Sequence, residues 1–171
     1  QLLKPLADPT SLSSGDFIDW GQNEKFRTEI GVGECAGVMI DLVATLLLEA
    51  EEKAENAEDT LRQELYADSI YHTYAAFVST AKALLLGKQV HCNTQAGIIS
   101  DFDKHFVESG EFRFPETFKE EVLKINKQEP GAEFARTYYQ SLQKFLQDVK
   151  TFRDKHPGEN KQSVKSGIGE G

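Results

Sequence analysis

Apolar side chains recur at helical spacing through most of this chain. Between residues 59 and 86, steps of four, three, four and three connect Ile70, Tyr74, Phe77, Ala81 and Leu84. The clearest repeat lies in the last third and consists of Phe134, Tyr138, Leu142, Phe145, Val149 and Phe152. This spacing is typical of amphipathic helices that bury one face. Because no strand-period run exceeds a few residues, we predict an all-α fold, an antiparallel bundle of about five helices.

The remaining helices are predicted from apolar runs and capping residues. A first helix begins near Glu34 and contains VMIDLVATLLLEAEEKAENA, which is apolar on most faces early and acidic later. Its first half is therefore predicted to be the buried central helix. We place a C-terminal cap of the second helix at Gly87 and an N-terminal cap of the third at Asn93 or Thr94. A short fourth helix is predicted with Pro115 in its first turn.

Three segments of the chain differ in composition. Residues 1–30 contain prolines, a Ser-Leu-Ser-Ser-Gly run and isolated aromatic residues, which predicts an extended arm. Residues 31–156 form the predicted bundle, and residues 157–171 form a flexible polar tail of a composition that cannot fold alone. Since the chain opens with Gln1, we expect it to be a piece of a longer polypeptide.

Charge and cysteine content narrow the function classes. The formal net charge is -9, and residues 49–64 alone carry seven acids against two bases. This balance disfavours nucleic acid as a partner, because duplex binding needs concentrated Lys and Arg, whereas a nucleotide stays open. Cys35 and Cys92 have no metal-type spacing and are too few for a disulfide framework, so we predict no metal and a cytoplasmic location. The longest apolar block, from Val38 to Leu48, is too short to cross a membrane.

One long segment carries a family resemblance. From Tyr66 to Gly110 the chain reads YADSIYHTYAAFVSTAKALLLGKQVHCNTQAGIISDFDKHFVESG. This order resembles the HEPN helical domains (higher eukaryotes and prokaryotes nucleotide-binding), which include ribonuclease toxins and partners of minimal nucleotidyltransferases. The resemblance implies a helical bundle, and it makes a homodimer one expected assembly.

The family's catalytic members carry an Arg, four to six residues and then a His. None of the five arginines here has a His at that spacing, and in the last helix a Tyr stands where the His would be expected. We therefore predict no catalytic residue and no enzyme activity of the family's kind for this chain alone.

The sequence offers one candidate site. His91 follows Lys88 in the linker before the third helix, and we predict that both join Arg136 and Tyr139 in a polar pocket for a phosphate or carboxylate. The alternative is that His91 satisfies carbonyl groups of the linker. Asp101, Asp103 and His105 could suggest a metal cluster, but residues two apart on a helix point to different sides, so we expect a solvated face there.

A second resemblance concerns residues 4–53. The segments KPLADPTSL, FIDWGQNEKF and IGVGECAGVMIDLVATLLLEAEEK are similar to the C-terminal extension of some bacterial nitrite/sulfite reductase hemoproteins. That family holds its siroheme and iron–sulfur cluster with four cysteines, and this chain has two, so we expect no cofactor here. The leading hypothesis is a noncatalytic accessory domain that forms a homodimer or packs against a parent enzyme. The alternative is a HEPN nucleotide- or RNA-binding module.

Overall fold

The computed structural model describes residues 32–156, with side chains from Met39 onward. Residues 32–156 contain five α-helices, which are α1 (Val32–Arg62), α2 (Tyr66–Gly87), α3 (Gln95–Phe102), α4 (Phe118–Val122) and α5 (Ala132–Lys155). A π-helical turn follows α3 and a 3-10 turn follows α4. The described residues include no β-strand, so the predicted all-α bundle is confirmed. The predicted arm, the predicted tail and the Cys35 side chain lie outside the described residues.

Aromatic rings from four α-helices and the π-helical turn form the centre of the core. The Phe102 ring of α3 lies 4.8 Å from that of Phe106, 4.3 Å from that of Phe118 and 5.5 Å from that of Phe145. The Phe77 ring of α2 stacks on Phe145 of α5 at 5.6 Å. All five side chains are at most 1% exposed. Each comes from an apolar stripe of the sequence, so the predicted buried faces of α2 and α5 are confirmed.

The predicted burial of the first half of α1 is wrong. Leu42 is 45% exposed and Leu48 is 61% exposed. The buried part of α1 lies further along, where Ala50, Ala54 and Ala57 are at most 9% exposed. These alanines are spaced at four and three residues, and their small side chains let α2 approach closely.

The helix directions follow from side-chain contacts. Lys53 Nζ donates to Ser79 Oγ at 2.7 Å, and Ser69 Oγ donates to the Ala57 carbonyl at 2.7 Å, so α1 and α2 run antiparallel. In α5, Phe152 packs on Phe106 at 5.8 Å, and Phe106 in turn lies under Lys88, just past the end of α2. The end of α5 therefore lies near the end of α2. The long connection through α3 and α4 lets α5 follow α2 in the same direction.

Three predicted helix boundaries need correction. The fourth helix begins at Phe118 after its cap at Thr117, so Pro115 precedes the first turn instead of lying in it. The second helix starts at Tyr66 rather than near Asp59, because α1 continues to Arg62 and Glu64 takes a left-handed φ of 61° in the turn. Gly87 is not the residue that turns the chain, because it still belongs to α2. Gln89 does so with a φ of 62°.

Asp103 has a structural role that the sequence did not reveal. Its carboxylate accepts hydrogen bonds from the backbone N–H groups of Phe118 at 2.7 Å and Lys119 at 3.0 Å. The predicted solvated face is therefore wrong for Asp103, which ties the π-helical turn to the first turn of α4.

Candidate functional site

The linker between α2 and α3 is shaped by hydrogen bonds at both of its ends. At the end of α2, the Val90 N–H donates to the Leu85 carbonyl and the Gln89 N–H to the Leu86 carbonyl, both at 2.9 Å. These two hydrogen bonds form a Schellman motif, in which Gln89 takes the left-handed position that usually holds Gly. At the start of α3, Thr94 Oγ1 accepts from the Gly97 N–H at 3.1 Å. The predicted cap at Thr94 is thus confirmed.

A pocket of about 60 Å³ lies between this linker and α2. Its lining consists of Lys82, Leu85, Leu86, Val90, His91, Cys92, Asn93 and Ile98. Lys82 is half-buried, while His91 and Asn93 are exposed. The apolar residues form one part of the wall, and a primary ammonium, an imidazole and an amide supply the polar groups. We call this the linker pocket.

Gly97 fixes the position of Cys92 at the edge of the linker pocket. A Cβ atom on Gly97 would lie 2.5 Å from Cys92 Sγ and 2.8 Å from Thr94 Oγ1. Both distances are shorter than van der Waals contact, so only a glycine allows the linker to pack this closely against the first turn of α3.

The charge around the linker pocket differs from that of the whole chain. From Ser69 to Ser100 the sequence has no Asp or Glu, although the net charge of the chain is -9. The same segment contains Lys82, Lys88 and two histidines. The residues that line the pocket therefore bring no carboxylate of their own against an anion.

Two tyrosines, Tyr74 and Tyr71, lie on α2 before the residues that line the linker pocket. Tyr74 OH donates to Gln95 Oε1 at 2.9 Å, which links α2 to the first residue of α3. Tyr71 lies one turn earlier on α2 and is 63% exposed. Burial raises the pKa of the Tyr74 phenol, and the nearby Tyr71 raises it further, so Tyr74 is neutral at ordinary pH.

Lys88 does not belong to the linker pocket. Its Nζ atom donates to both Glu111 carboxylate oxygens at 3.0 and 2.8 Å and to the His105 carbonyl at 2.9 Å. The same atom lies 4.0 Å from the centre of the Phe106 ring. These contacts hold Lys88 against the end of the aromatic core, which corrects its predicted place beside His91.

Arg136 and Tyr139 also lie apart from Lys88 and His91. Tyr139 stands on the first half of α5, next to Glu58 and Arg62 of α1, while the Arg136 side chain is exposed. Since the residue of α5 nearest to Lys88 is Phe152, Tyr139 is about 20 Å away along the helix axis. The four predicted residues therefore do not form one pocket. Of these four residues, His91 lines the linker pocket, where it is joined by Lys82.

Tyr139 lies beside both an acidic and a basic side chain of α1. Partial burial raises the pKa of the Tyr139 phenol, and the adjacent Glu58 carboxylate raises it further, whereas Gln143 and Arg62 oppose this. Arg62 is itself paired with Glu58. A phenol held neutral beside a carboxylate acts as a hydrogen-bond donor rather than as a base.

Lys82 is the pocket residue that sequence reasoning missed. It stands two turns before the linker, and its relation to His91 depends on the linker folding back along α2. The absence of acids from residues 69–100 was a signal in the sequence that could have drawn attention to it.

Within residues 39–156, no group of three His, Cys, Asp or Glu side chains could hold a metal ion. None of the described helices is long and apolar enough to span a membrane.

Comparison with known proteins gives two matches. The family model described as HEPN domain matches residues 43–155. A protein of Methanocaldococcus jannaschii named "Putative toxin MJ0605" is 35% identical over 68 residues, which is 40% of this chain and 51% of that protein. The chain thus spans about half the length of this curated relative. No solved structure matches the chain.

Proposed function

Because the chain belongs to the HEPN domain family, we propose that it is a nucleotide-binding module that recognises the phosphate of a nucleotide, free or at the end of an RNA strand. The observation that carries this proposal is the linker pocket, which combines Lys82, His91 and Asn93 inside a segment without carboxylates. The toxin name of the archaeal relative agrees with the resemblance of residues 66–110 to a family that includes ribonuclease toxins.

The polar lining of the linker pocket suits a phosphate. Lysine offers three N–H donors and a full positive charge, and Asn and His add further donors. Charge-assisted hydrogen bonds of this kind are about twice as strong as neutral ones. The first turn of α3 opens on the same linker, and its N–H groups other than that of Gly97, which donates to Thr94 Oγ1, favour an anion as well.

The size of the linker pocket limits what can enter. A buried water needs roughly 10–15 Å³ of such volume, so a pocket of about 60 Å³ holds about four to six oxygen-sized atoms. A phosphate group fits this size, whereas a nucleobase with its sugar does not. The base is therefore proposed to lie outside the pocket, on the surface of α2 and α3.

Calorimetric titration with adenosine monophosphate tests the proposal. Replacing Lys82 by Gln should weaken binding by about tenfold to a hundredfold, because a charged hydrogen bond contributes roughly 1.5–3 kcal/mol. The matched control is Lys150→Gln on the exposed side of α5, which should leave the affinity unchanged. Equal affinity of the wild-type chain and Lys82→Gln would exclude the linker pocket as the site. An absence of nucleotide binding would exclude the proposed function.

A parallel assay addresses RNA cleavage. The chain has no Arg/His pair at the family's spacing, so incubation with a labelled oligoribonucleotide and a chelator should leave the RNA intact. A wild-type preparation that cleaves RNA, with cleavage abolished in Arg136→Ala, would contradict this part of the proposal.

A second candidate function is an accessory domain that docks onto another protein chain or domain. The exposed leucines Leu42 and Leu48 on α1 favour it, because apolar side chains left in water become buried when a partner covers them. A homodimer, and a reductase-like parent polypeptide, remain predictions within this candidate. Light scattering of the wild-type chain and of a Leu42→Ser/Leu48→Ser variant tests it. A monomer of unchanged mass in both samples would exclude the homodimer.

A further inference from the structure

We infer that the linker pocket also accepts a short aliphatic carboxylate, with the carboxylate group on Lys82 and the alkyl chain against the apolar part of the wall. This inference rests on the proposed function in one respect, the use of Lys82 as the residue that holds the anion. The juxtaposition that carries it is a half-buried ammonium group beside an apolar interior in one small pocket.

The linker pocket has a polar mouth and an apolar interior. Leu85 is 1% exposed and Ile98 is 3% exposed, so these two side chains form the inner part of the wall. His91 and Asn93 are exposed and stand at the mouth. A phosphate bound at the mouth leaves the apolar interior unfilled, whereas an alkyl chain that enters this interior is removed from water, which is favourable.

Lys82 supplies the cation of the linker pocket. Its side chain is half-buried, and within residues 39–156 it forms no ion pair and its ammonium group donates no hydrogen bond. Lys53 and Lys88 differ, because the first donates to Ser79 and the second is paired with Glu111. A half-buried ammonium group has lost part of its hydration, so an anion that replaces the lost water is stabilised there.

The volume of the linker pocket sets the length of the alkyl chain. A pocket of about 60 Å³ holds about four to six non-hydrogen atoms, which corresponds to a carboxylate group with about three further carbons. Carbons beyond this number extend into water at the mouth and gain nothing by burial. The charge of Lys82 repels an alkylamine of the same length, so the pocket selects the acid.

The carboxylate and the nucleotide phosphate need the same ammonium group. Lys82 is the one lysine among the residues that line the pocket, and a pocket of this size does not hold both anions. A bound carboxylate therefore excludes the phosphate. The apparent affinity for a nucleotide should fall as the concentration of the acid rises, which makes the acid a competitive regulator of the proposed function.

Nuclear magnetic resonance titration of the full isotope-labelled chain with acetate, propionate, butyrate and hexanoate tests this inference. The backbone amide signals of His91 and Asn93 report binding at the mouth. Each added CH₂ group should tighten binding about fourfold as far as butyrate, because burial of one CH₂ group contributes roughly 0.8 kcal/mol. Hexanoate should bind no more tightly than butyrate, and butylamine should not bind.

Two variants separate the two parts of the linker pocket. Lys82→Gln should lose the affinity for every acid of the series. Val90→Thr keeps the shape of the side chain and places a hydroxyl group on the apolar wall, so it should reduce the gain per CH₂ group and leave the affinity for inorganic phosphate unchanged. Lys150→Gln, on the exposed side of α5, is the matched control and should bind like the wild-type chain. Circular dichroism of each variant checks the fold.

The outcomes distinguish this inference from the proposed function. Acid affinities that do not depend on chain length would overturn the inference, and binding of adenosine monophosphate that requires Lys82 would leave the proposed function standing. A chain-length gain that persists in Lys82→Gln would also overturn it, because the acids would then bind elsewhere. The expected acid series without any binding of adenosine monophosphate would support the carboxylate site and remove the proposed function. If neither ligand binds the wild-type chain, both fail together.

Discussion

Replacing Tyr138 by Phe is expected to destabilise the fold at neutral pH and to lose that effect at high pH. Tyr138 is 1% exposed, and its hydroxyl donates to the Val122 carbonyl at 2.6 Å. Its ring packs on Phe134 at 4.9 Å and on Phe77 at 5.5 Å. The substitution keeps the ring volume, so the change in stability reports the hydroxyl group alone.

At pH 7 the cost follows from one hydrogen bond. Tyr138→Phe removes the donor and leaves the Val122 carbonyl without it, which should lower the free energy of unfolding by about 1–2 kcal/mol.

The pH dependence follows from the buried phenol. Burial, together with Tyr74 and Glu121, raises the pKa of Tyr138 far above the ordinary value of 10.0. Below pH 10 the phenol is neutral in both the folded and the unfolded state, and its contribution to stability is fully present. Above pH 10 the unfolded chain loses this proton while the folded chain keeps it, so the contribution is lost as pH rises. At pH 11 the wild-type chain should have lost about 1.4 kcal/mol through this residue.

Urea unfolding followed by circular dichroism at pH 7, 9 and 11 measures both effects. The difference between wild type and Tyr138→Phe should be constant from pH 7 to 9 and should fall to roughly zero at pH 11. The other tyrosines are present in both proteins and cancel in the difference. A difference that stays the same at pH 11 would refute the reasoning, because the folded phenol would then ionise like an unfolded one.

Three further changes probe other contacts. Gly97→Ala should destabilise the chain by about 1–3 kcal/mol in thermal melts, although Ala has the better helix propensity. Adding Cys92→Ala should recover part of this loss, because it removes the sulfur atom that the new Cβ would meet. A Gly97→Ala chain that is more stable than the wild type would contradict the close packing. Asp103→Ala removes the acceptor for two N–H groups and should cost about 1–3 kcal/mol in urea unfolding, unless α4 is held by its core contacts alone. Lys88→Gln should lower stability by roughly 1 kcal/mol through the loss of Glu111 and should leave nucleotide affinity unchanged, and weakened binding would return Lys88 to the site.

The helical pattern was sufficient to predict most of the core. The stripes containing Phe77 and Phe145 predicted which faces of α2 and α5 are buried, because a helix must turn its apolar face away from water. The cap at Thr94 was equally predictable, since a local side-chain acceptor at a helix start needs no distant partner. The absence of the Arg/His pair is likewise a property of the sequence alone.

The candidate site was only partly predictable. His91 was identified from the linker, but Lys88 was placed beside it wrongly and Lys82 was missed. A sequence shows that Lys88 precedes His91 by three positions, and it does not show that Glu111, more than twenty positions away, holds the ammonium group. Side chains that are close in sequence can be drawn apart by partners that only the fold brings near.

The sequence by itself determined the helices, their apolar faces and the separation of the acids on α1 from the acid-free residues 69–100, because these properties depend on spacing and composition. Tertiary structure decided which of those faces is covered. It left Leu42 and Leu48 exposed although they belong to the most apolar run, and it folded the linker back so that His91 and Lys82 line one pocket. The physical reason is that helical periodicity shows which face of a helix is apolar. Whether that face is buried depends on other helices, which are distant in the sequence and are brought near it only by the fold.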